Sequence, residues 1–523
     1  MEQTSTNKTI AQNTVFLYFR MMVTMVISLY TSRVVLNILG VDDYGIYQAV
    51  GGIVVFLSFI NNALSTGSSR FITFGLGEGD KDKLKRIFST TLTAHIILAL
   101  VIVVLAETLG LWFLHNKLVI APERLGAAEF VYHLSILTAF FSLTQVPYGA
   151  CIIAHEKMAV YAYVSIVDAV LKLAIVYMLN VGDFDKLKLY ALLLCILQIG
   201  IIIFYRVYCV KRFEEARFKF LIDRKIFKEI ASFSGWSLFA GGSIALNNQG
   251  ILILLNMFFS PAVVTARSLS LQVNMAANQF VTNFQTAANP QIVKRFAAKD
   301  YEGSKQLLLE TTKFSFYLML LLSLPICLCA EPLLNLWLEE VPEYTVVFLQ
   351  IIIIQSLFCV FDTSFYRALY AKGRLKENAL MSPTLLFVQF PIVYFMFKSG
   401  FSPVALSWAS LITYAILGLI VKPILIIKIV DYTWKDIFSV FVPCLKVVTC
   451  SVPIPLMLYY FFQDDTLLTF ALIVLVSVFS VAITTWVIGM DKAMRVKLGG
   501  MIWKKIGKYF LRLSKKGTVN KLF

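Results

Sequence analysis

The sequence predicts an all-α polytopic membrane protein with about 14 transmembrane helices, and three observations support this. The chain of 523 residues is 59% hydrophobic and only 15% charged, whereas soluble domains average about 45–50% apolar and about 25% charged residues. Apolar runs of about 20 residues, long enough to cross the hydrocarbon core as a helix, recur along almost the whole chain. These runs are continuous rather than alternating, which argues against a membrane β-barrel.

The predicted spans follow one another with mostly short connections. The first begins after a polar segment that has no signal-peptide cleavage site, so we expect it to remain in the membrane. In chain order the spans cover residues 14–39, 45–67, 87–114, 128–154, 158–179, 187–210, 230–259, 261–290, 312–338, 344–370, 377–397, 403–429, 438–462 and 466–488.

Basic residues are concentrated in the connections that this count places on one side of the membrane. The net charge is +16. With the N-terminus in the cytoplasm, roughly thirty Lys and Arg fall inside and about five outside, as the positive-inside rule requires. We therefore expect both termini in the cytoplasm and no nucleic-acid partner. The basic connections are 70–86, 211–228, 294–305, 372–376 and the tail after 491.

Short matches at a separation of about 217–225 residues indicate an internal repeat of the kind found in transporters. Each half holds an even number of spans, so the two should be parallel repeats that rock about a central cleft and give alternating access. The clearest matches are Leu36-Asn37 with Leu255-Asn256, Leu111-Trp112 with Leu336-Trp337, and Ile175-Val176-Tyr177 with Ile392-Val393-Tyr394. The predicted domains are two six-helix bundles (1–215 and 216–430), two additional transmembrane helices (431–490) and a basic cytoplasmic tail (491–523).

Polar side chains form stripes on the first and eighth spans, and further amides lie on the second and seventh. A charge at the centre of a membrane helix costs about 2.5–3.5 kcal/mol, so such residues usually face a cavity or a partner. We expect them to line an aqueous cavity and bind substrate; the alternative is hydrogen bonding between helices. The predicted cavity residues are Arg20, Thr24, Ser28, Asn61, Asn248, Arg267, Asn274, Asn278 and Gln285.

Two intramembrane carboxylates have a basic residue nearby. Asp168 and Lys172 are one helical turn apart, which suits an ion pair, and Asp362 with Arg367 is a similar pair. A structural role and a role in H⁺ or Na⁺ coupling both remain open. Lys422 lies near a predicted cytoplasmic end, so we expect its side chain to snorkel to the surface. The Cys and His residues lack metal-site spacing, and we expect no metal, no cofactor and no catalytic site.

Three segments resemble the Wzx-type O-antigen/polysaccharide flippase family of the MOP (MATE-like) exporter superfamily. The first, residues 39–47 (LGVDDYGIY), is similar to that family's first outer loop. The second is Arg70-Phe71-Ile72-Thr73-Phe74, followed by Gly77-Glu78-Gly79-Asp80. The third is 153–158 (IAHEKM), followed by Tyr161-Ala162-Tyr163.

The resemblance implies a flippase of the bacterial inner membrane. It would move undecaprenyl-pyrophosphate-linked oligosaccharide repeat units from the cytoplasmic to the periplasmic face for O-antigen (lipopolysaccharide) or capsule biosynthesis. Membrane lipids, a polysaccharide polymerase and a chain-length regulator are the partners it suggests. Arg20 and Arg267 would be the cavity cations, and Arg suits phosphate because its planar fork donates two hydrogen bonds. The two additional helices resemble those of lipid II flippases, where the pair is associated with a lipid-tail groove.

Three other functions are weighed against this one. An ion-coupled drug exporter of the same superfamily should have an acidic and aromatic cavity rather than one bearing Arg. A membrane-embedded polysaccharide polymerase should have a sizeable outer loop or a nucleophile–base arrangement, whereas the predicted outer loops are short. A major-facilitator carrier should have its own basic motif between helices 2 and 3, which this sequence lacks.

Overall fold

The computed structural model describes part of the chain, and all its regular elements there are helices without a strand. Backbone N–H and C=O groups cannot stay unpaired in hydrocarbon. An apolar run therefore forms a helix, which pairs these groups within the segment. The described residues are 22–57, 68, 71–72, 76, 80–155, 157–180, 184–224, 226–228, 246–372, 376–462, 466–492 and 494–496.

Six helices cover the described residues up to 212. A π-helical segment, Ala106–Gly110, interrupts the third of them, and a 3₁₀ turn, Glu214–Ala216, follows the sixth. The helices are α1 Met22–Leu39, α2 Val41–Leu57, α3 Lys81–Lys117, α4 Pro122–Ala154, α5 Met158–Met178 and α6 Lys186–Arg212.

Ten more helices follow, three of which adjoin or include a π-helical segment. The segment Leu246–Gly250 leads into α7, Leu417–Val421 lies within α13, and Thr485–Gly489 extends α16. The helices are α7 Ile251–Phe258, α8 Pro261–Ala297, α9 Tyr301–Leu328, α10 Ala330–Trp337, α11 Thr345–Lys372, α12 Lys376–Lys398, α13 Ala405–Val430, α14 Trp434–Ser451, α15 Pro453–Phe461 and α16 Leu467–Thr484.

Within the described residues, ten helical segments are long and apolar enough to cross a membrane. They match ten of the predicted spans, so the all-helical membrane architecture is confirmed, whereas a count of 14 is not. Spans 158–179 and 261–290 form the helices α5 and α8, which are not among the ten; α8 is rich in polar residues. Spans 45–67 and 230–259 lie partly outside the described residues.

The chain forms two compact units whose limits cross single helices. The first unit contains the described residues within Met1–Ala276, Leu333–Gln355 and Arg374–Leu417, and the second those within Ala277–Pro332, Ser356–Gly373 and Gly418–Phe523. The limits divide α8, α10, α11 and α13, so they do not follow the predicted domain boundaries. The division into two six-helix bundles stays a prediction.

In the first unit, α4 packs against α2, α3 and α6. One guanidinium ties the starts of three of these helices together. Arg124 Nε donates to Asp43 Oδ1 at 2.8 Å, and its Nη1 donates to Asp185 Oδ2 at 2.9 Å. Burial is the largest single effect and acts to raise the pKa of Asp185, but the hydrogen bonds and positive charges of Arg124 and Lys188 together hold that pKa below its ordinary value.

In the second unit, α9 is the element on which the last two membrane segments pack. Both α14 and α16 lie against it. Tyr317 on α9 donates its hydroxyl to the carbonyl of Gly489 at 3.1 Å, and Phe361 stacks on Phe316 with ring centroids 5.1 Å apart. The additional C-terminal helices are therefore built into the helix packing of this unit.

The π-helical segment of α3 depends on a close approach between a glycine and a tyrosine. A π turn leaves backbone groups to be satisfied outside the regular helical pattern, and the Tyr132 hydroxyl donates to the Ala106 carbonyl at 2.8 Å. A Cβ at Gly110 would lie 2.0 Å from that hydroxyl oxygen. Glycine is therefore required here by contact rather than by backbone dihedral angles.

We expect Gly110→Ala to lower stability by about 1–3 kcal/mol, the usual cost of overpacking a buried contact. The matched control is Gly200→Ala on α6, where a Cβ would meet nothing within 4 Å. Thermal unfolding of the purified protein in detergent measures both. Adding Tyr132→Phe should recover part of the loss, because it removes the clashing oxygen. Equal melting temperatures for the two alanine variants would contradict this account.

Candidate substrate cavity

A polar cavity of about 500 Å³ lies within the first unit. Helices α1, α2, α5, α6 and α8 supply its wall, so it is enclosed by segments that the sequence places in the membrane. Its lining residues are Thr24, Ile27, Ser28, Thr31, Ser32, Val35, Tyr44, Tyr47, Gln48, Ser165, Asp168, Ala169, Lys172, Tyr190, Leu194 and Gln272. The volume falls in the range of about 300–1,000 Å³ that is typical of ligand sites.

One ion pair lies in the wall of this cavity. Lys172 Nζ donates to Asp168 Oδ2 at 2.8 Å, and Gln198 Nε2 donates to Asp168 Oδ1 at 3.0 Å. The side chains of Lys172 and Asp168 are 39% and 25% exposed. The carboxylate is thus held by two donors from two helices, while the ammonium keeps access to the cavity.

Four of the sequence-predicted residues meet here: Thr24, Ser28, Asp168 and Lys172. Others in the wall were not predicted, and Gln272 is the clearest. It lies on α8, about 140° around the helix from Arg267, so it is outside the stripe that the sequence analysis followed. Its spacing to Gln279 and Asn283 forms a second polar stripe on α8, which is a sequence signal that could have indicated it.

The predicted stripe on α8 faces other helices in this conformation. Arg267 is 3% exposed; its guanidinium donates to Ser407 Oγ at 3.1 Å and lies 5.7 Å from the centre of the Phe348 ring. Asn278 donates to Ser356 Oγ at 3.0 Å. These contacts join α8 to α11 and α13, as the alternative of hydrogen bonding between helices expects.

Farther along the stripe, Gln285 donates to Ser364 Oγ at 2.9 Å and accepts from Arg367 Nη2 at 3.3 Å. Asn274 is partly buried. None of the four stripe residues Arg267, Asn274, Asn278 and Gln285 lines the cavity described above. Their role as substrate ligands stays a prediction.

The pairing predicted for Asp362 and Arg367 is wrong. Asp362 Oδ1 lies 3.1 Å from Lys422 Nζ, and Arg367 Nη2 instead donates a hydrogen bond to Gln285 Oε1. The expectation that Lys422 snorkels to the surface is wrong as well, since this residue is 1% exposed. The reason lies in the tertiary structure. Helix α13 places the Lys422 ammonium beside α11, where the carboxylate of Asp362 offsets its charge.

Three predicted positions have no described side chain. Arg20 and Asn61 lie outside the described residues, and only the backbone of Asn248 is described, within the π-helical segment Leu246–Gly250. Among the described residues, no three Cys, His, Asp or Glu side chains come together as a metal site would require.

Within the first unit, helix ends from both halves of the sequence pack together. Gln272 Nε2 donates to Tyr44 Oη at 2.7 Å, and Thr265 Oγ1 donates to the Val41 carbonyl at 2.7 Å. A Cβ at Gly45 would lie 2.1 Å from the carbonyl oxygen of Pro261. The family-like segment 39–47 supplies all three first-half partners.

Two more contacts extend this joint, which we call the outer seal: Trp337 Nε1 donates to the Leu29 carbonyl at 2.9 Å, and Arg33 lies 3.6 Å from Glu339. The name follows the prediction from the charge pattern that Glu339 and the start of α2 lie at the outer face.

The comparisons with known proteins agree with this architecture. The MatE family model matches residues 248–395. None of the curated proteins compared with the chain matches it.

Solved structures resemble the chain over most of its length. A structure of MurJ, a lipid II flippase, in an inward closed conformation has a TM-score of 0.70 and 11% identity, and covers 90% of this chain and 98% of its own. The chain has a MATE-type transporter fold. A multidrug resistance MATE family transporter of the MOP superfamily, in an inward-facing conformation, has a TM-score of 0.63 and 14% identity, and covers 78% of this chain and 99% of its own.

A third MATE-type structure is a MOP superfamily transporter from Pyrococcus furiosus, described as having a binding pocket of reverse polarity. Its TM-score is 0.59 with 15% identity, and it covers 80% of this chain and 96% of its own. Proteins that share this fold therefore have binding pockets of different polarity. The charges in the cavity, rather than the fold, have to indicate the substrate.

We expect Asp362→Asn to destabilise the protein by about 3–5 kcal/mol, because it removes the negative charge that lies 3.1 Å from the buried Lys422 ammonium. Asp168→Asn is the matched control: Lys172 is 39% exposed, so its loss should be about 1 kcal/mol or less. Melting temperatures in detergent report the difference. The double variant Asp362→Asn with Lys422→Met should recover most of the stability. A single Asp362→Asn variant as stable as the control would show that this pair is unimportant.

Proposed function

We propose that this protein is a flippase of the bacterial inner membrane. It moves undecaprenyl-pyrophosphate-linked oligosaccharide repeat units from the cytoplasmic to the periplasmic face by alternating access, for O-antigen or capsule biosynthesis. The observation that carries the proposal is the composition of the cavity: among the described residues that line it, one partly exposed ammonium, paired with Asp168, lies among hydroxyl and amide groups of membrane helices.

Each part of the substrate finds a chemical counterpart in this cavity. Lys172 is a point charge that can turn from Asp168 to a phosphate oxygen. Hydroxyls and amides suit the hydroxyls of a sugar, and Ser28, Gln48 and Gln272 supply them. Tyr47 adds an aromatic face for a sugar ring. We propose Arg20 and Arg267 as further ligands of the pyrophosphate, Arg267 in a conformation in which α8 has moved relative to α13.

The outer seal supports the transport cycle. With the N-terminus inside, the joined helix ends are the periplasmic ones, so the conformation described is one that would receive its substrate from the cytoplasmic side. Two parallel repeats rocking about a midplane site would then break the seal to release the substrate outward.

A drug exporter is the second candidate, because multidrug resistance transporters are among the proteins of similar fold. Cationic drugs need an uncompensated negative charge. Among the described residues lining the cavity there is one carboxylate, Asp168, and it already accepts hydrogen bonds from Lys172 and Gln198. The charges of Lys172 and Asp168 cancel, so the described part of the wall offers a cationic drug no uncompensated negative charge.

We expect Lys172→Gln to lower the rate of flipping about tenfold or more. A hydrogen bond to a charged group is worth about 1.5–3 kcal/mol, and about 1.4 kcal/mol corresponds to a factor of ten. The matched control is Lys446→Gln, on an exposed position of α14 outside the cavity. The assay reconstitutes the protein in liposomes with a lipid-linked oligosaccharide and measures how fast it becomes accessible to an external glycosidase.

Equal flipping by these two variants at equal reconstitution would remove Lys172 from the site. Transport of a cationic dye without any flipping of lipid-linked oligosaccharide would overturn the proposed function in favour of the drug exporter.

For coupling, we propose Asp168 rather than Asp362 as the carboxylate that exchanges H⁺ or Na⁺, because it lies in the cavity wall while Asp362 pairs with a buried Lys422. Asp168→Asn should keep flipping and lose its dependence on an imposed ion gradient. The measurement compares liposomes with and without a gradient, and Gln198→Leu is the control that leaves the carboxylate in place. Gradient dependence that survives in Asp168→Asn would exclude this role.

A further inference from the structure

A second cavity, of about 470 Å³, also lies within the first unit. We call it the apolar pocket. Helices α2, α3, α7 and α12 border it, and among the described residues that line it all but Tyr394 are apolar or glycine. None of these described residues also lines the polar cavity, so the function proposed above does not account for the apolar pocket.

Two π-helical segments form facing walls of this pocket. Ala106–Gly110 contributes Leu109 and Gly110, and Leu246–Gly250 contributes Leu246 and Gly250. The glycines let neighbouring side chains pack closely against both segments: a Cβ at Gly110 would lie 2.0 Å from the Tyr132 hydroxyl oxygen, and a Cβ at Gly250 would lie 2.9 Å from Leu246 Cδ1. π-bulges occur frequently at functional sites, and here each one widens its helix where the pocket lies.

The chemistry of the pocket and its mouth limits what can fill it. Leu109 is 65% exposed and Leu105 is 38% exposed, so the pocket opens along the surface of a helix long and apolar enough to cross the membrane. Apolar cavities of this kind stay dry, because water finds too few partners in them. The occupant is therefore a hydrocarbon chain.

One helix links the apolar pocket to the polar cavity. Helix α2 places Gln48 in the cavity wall and Ile53 in the pocket wall, and five residues rise about 7.5 Å along a helix axis. A lipid with its headgroup in the cavity thus has a place for its chain on the other face of the same helix.

We propose that the apolar pocket binds the polyprenyl chain of the lipid-linked substrate. The inference rests on the proposed function and extends it to the tail of the carrier. It places the chain beside α3 and α7 rather than at α14–α16, where the resemblance to lipid II flippases would put it. Since α2 and α3 come from the first half of the sequence and α7 and α12 from the second, rocking of the halves would open and close the pocket around the chain.

The experiment uses the full-length protein in nanodiscs of phosphatidylethanolamine and phosphatidylglycerol. One probe is a polyprenyl monophosphate carrying a diazirine in its chain, and the other is a phosphatidylglycerol carrying a diazirine in an acyl chain. After illumination, peptide mass spectrometry locates the labels. We expect the polyprenyl label on the pocket walls of α3 and α7, and we expect unlabelled polyprenyl phosphate to displace it.

Leu109→Trp fills the mouth of the pocket from an exposed position. We expect it to reduce polyprenyl labelling there about tenfold, as for the loss of one or two buried methylene groups. Leu475→Trp is the matched control, at a similarly exposed leucine on α16, and should label as the unmodified protein does. If the Trp variant does not fold, the label map of the unmodified protein decides alone.

Polyprenyl labels confined to α14–α16 would overturn the inference. So would pocket labelling by the acyl probe that polyprenyl phosphate does not displace, because the pocket would then hold an ordinary phospholipid. Flipping by the unmodified protein without polyprenyl labels in the pocket refutes this inference alone. Absence of flipping refutes the proposed function. A polyprenyl chain bound in the pocket would then not belong to a transported substrate.

Discussion

The structure depends on one constraint: a charged or polar side chain among membrane helices has to find its partner within the protein. The described residues meet it in different ways. The buried ammonium of Lys422 is paired with the partly buried carboxylate of Asp362, and Arg267 is held by Ser407 and the face of an aromatic ring. Lys172 is paired too, but it remains open to a cavity. Lys172 therefore differs from Lys422 and Arg267, because a ligand can take the place of its partner.

This difference in exposure distinguishes the roles of the two ion pairs, which have the same charges. A buried ion pair is costly to break and contributes little net stability when intact, so Asp362 and Lys422 mainly fix how α11 and α13 pack. The pair of Asp168 and Lys172 is partly solvated, and an anionic ligand can replace the carboxylate at moderate cost. The cavity with the accessible ammonium is therefore the site on which the proposed function rests, rather than the stripe headed by Arg267.

The helical architecture could be predicted from the sequence because hydrocarbon imposes the length and continuity of each span. The span that forms α8 was recognised as a helix although its polar residues lower its hydropathy. The ion pair of Asp168 and Lys172 could also be predicted, because its partners are one turn apart on one helix. Pairs between different helices could not be predicted, because nothing in the sequence near Asp362 indicates that Lys422 of α13 will lie beside it. Gln272 was missed for a different reason: it lies on the second polar stripe of α8, about 140° around the helix from the stripe headed by Arg267.

The outer seal is built largely from single hydrogen bonds, such as those from Trp337 to Leu29 and from Gln272 to Tyr44. Water can replace each of these bonds when the joint separates, and a hydrogen bond that is exchanged for one to water changes the free energy by only about 0.5–1.5 kcal/mol. A gate made this way keeps the two states of a carrier nearly equal in energy. When the two states have similar free energies, a ligand that binds one of them somewhat more tightly shifts the population toward that state.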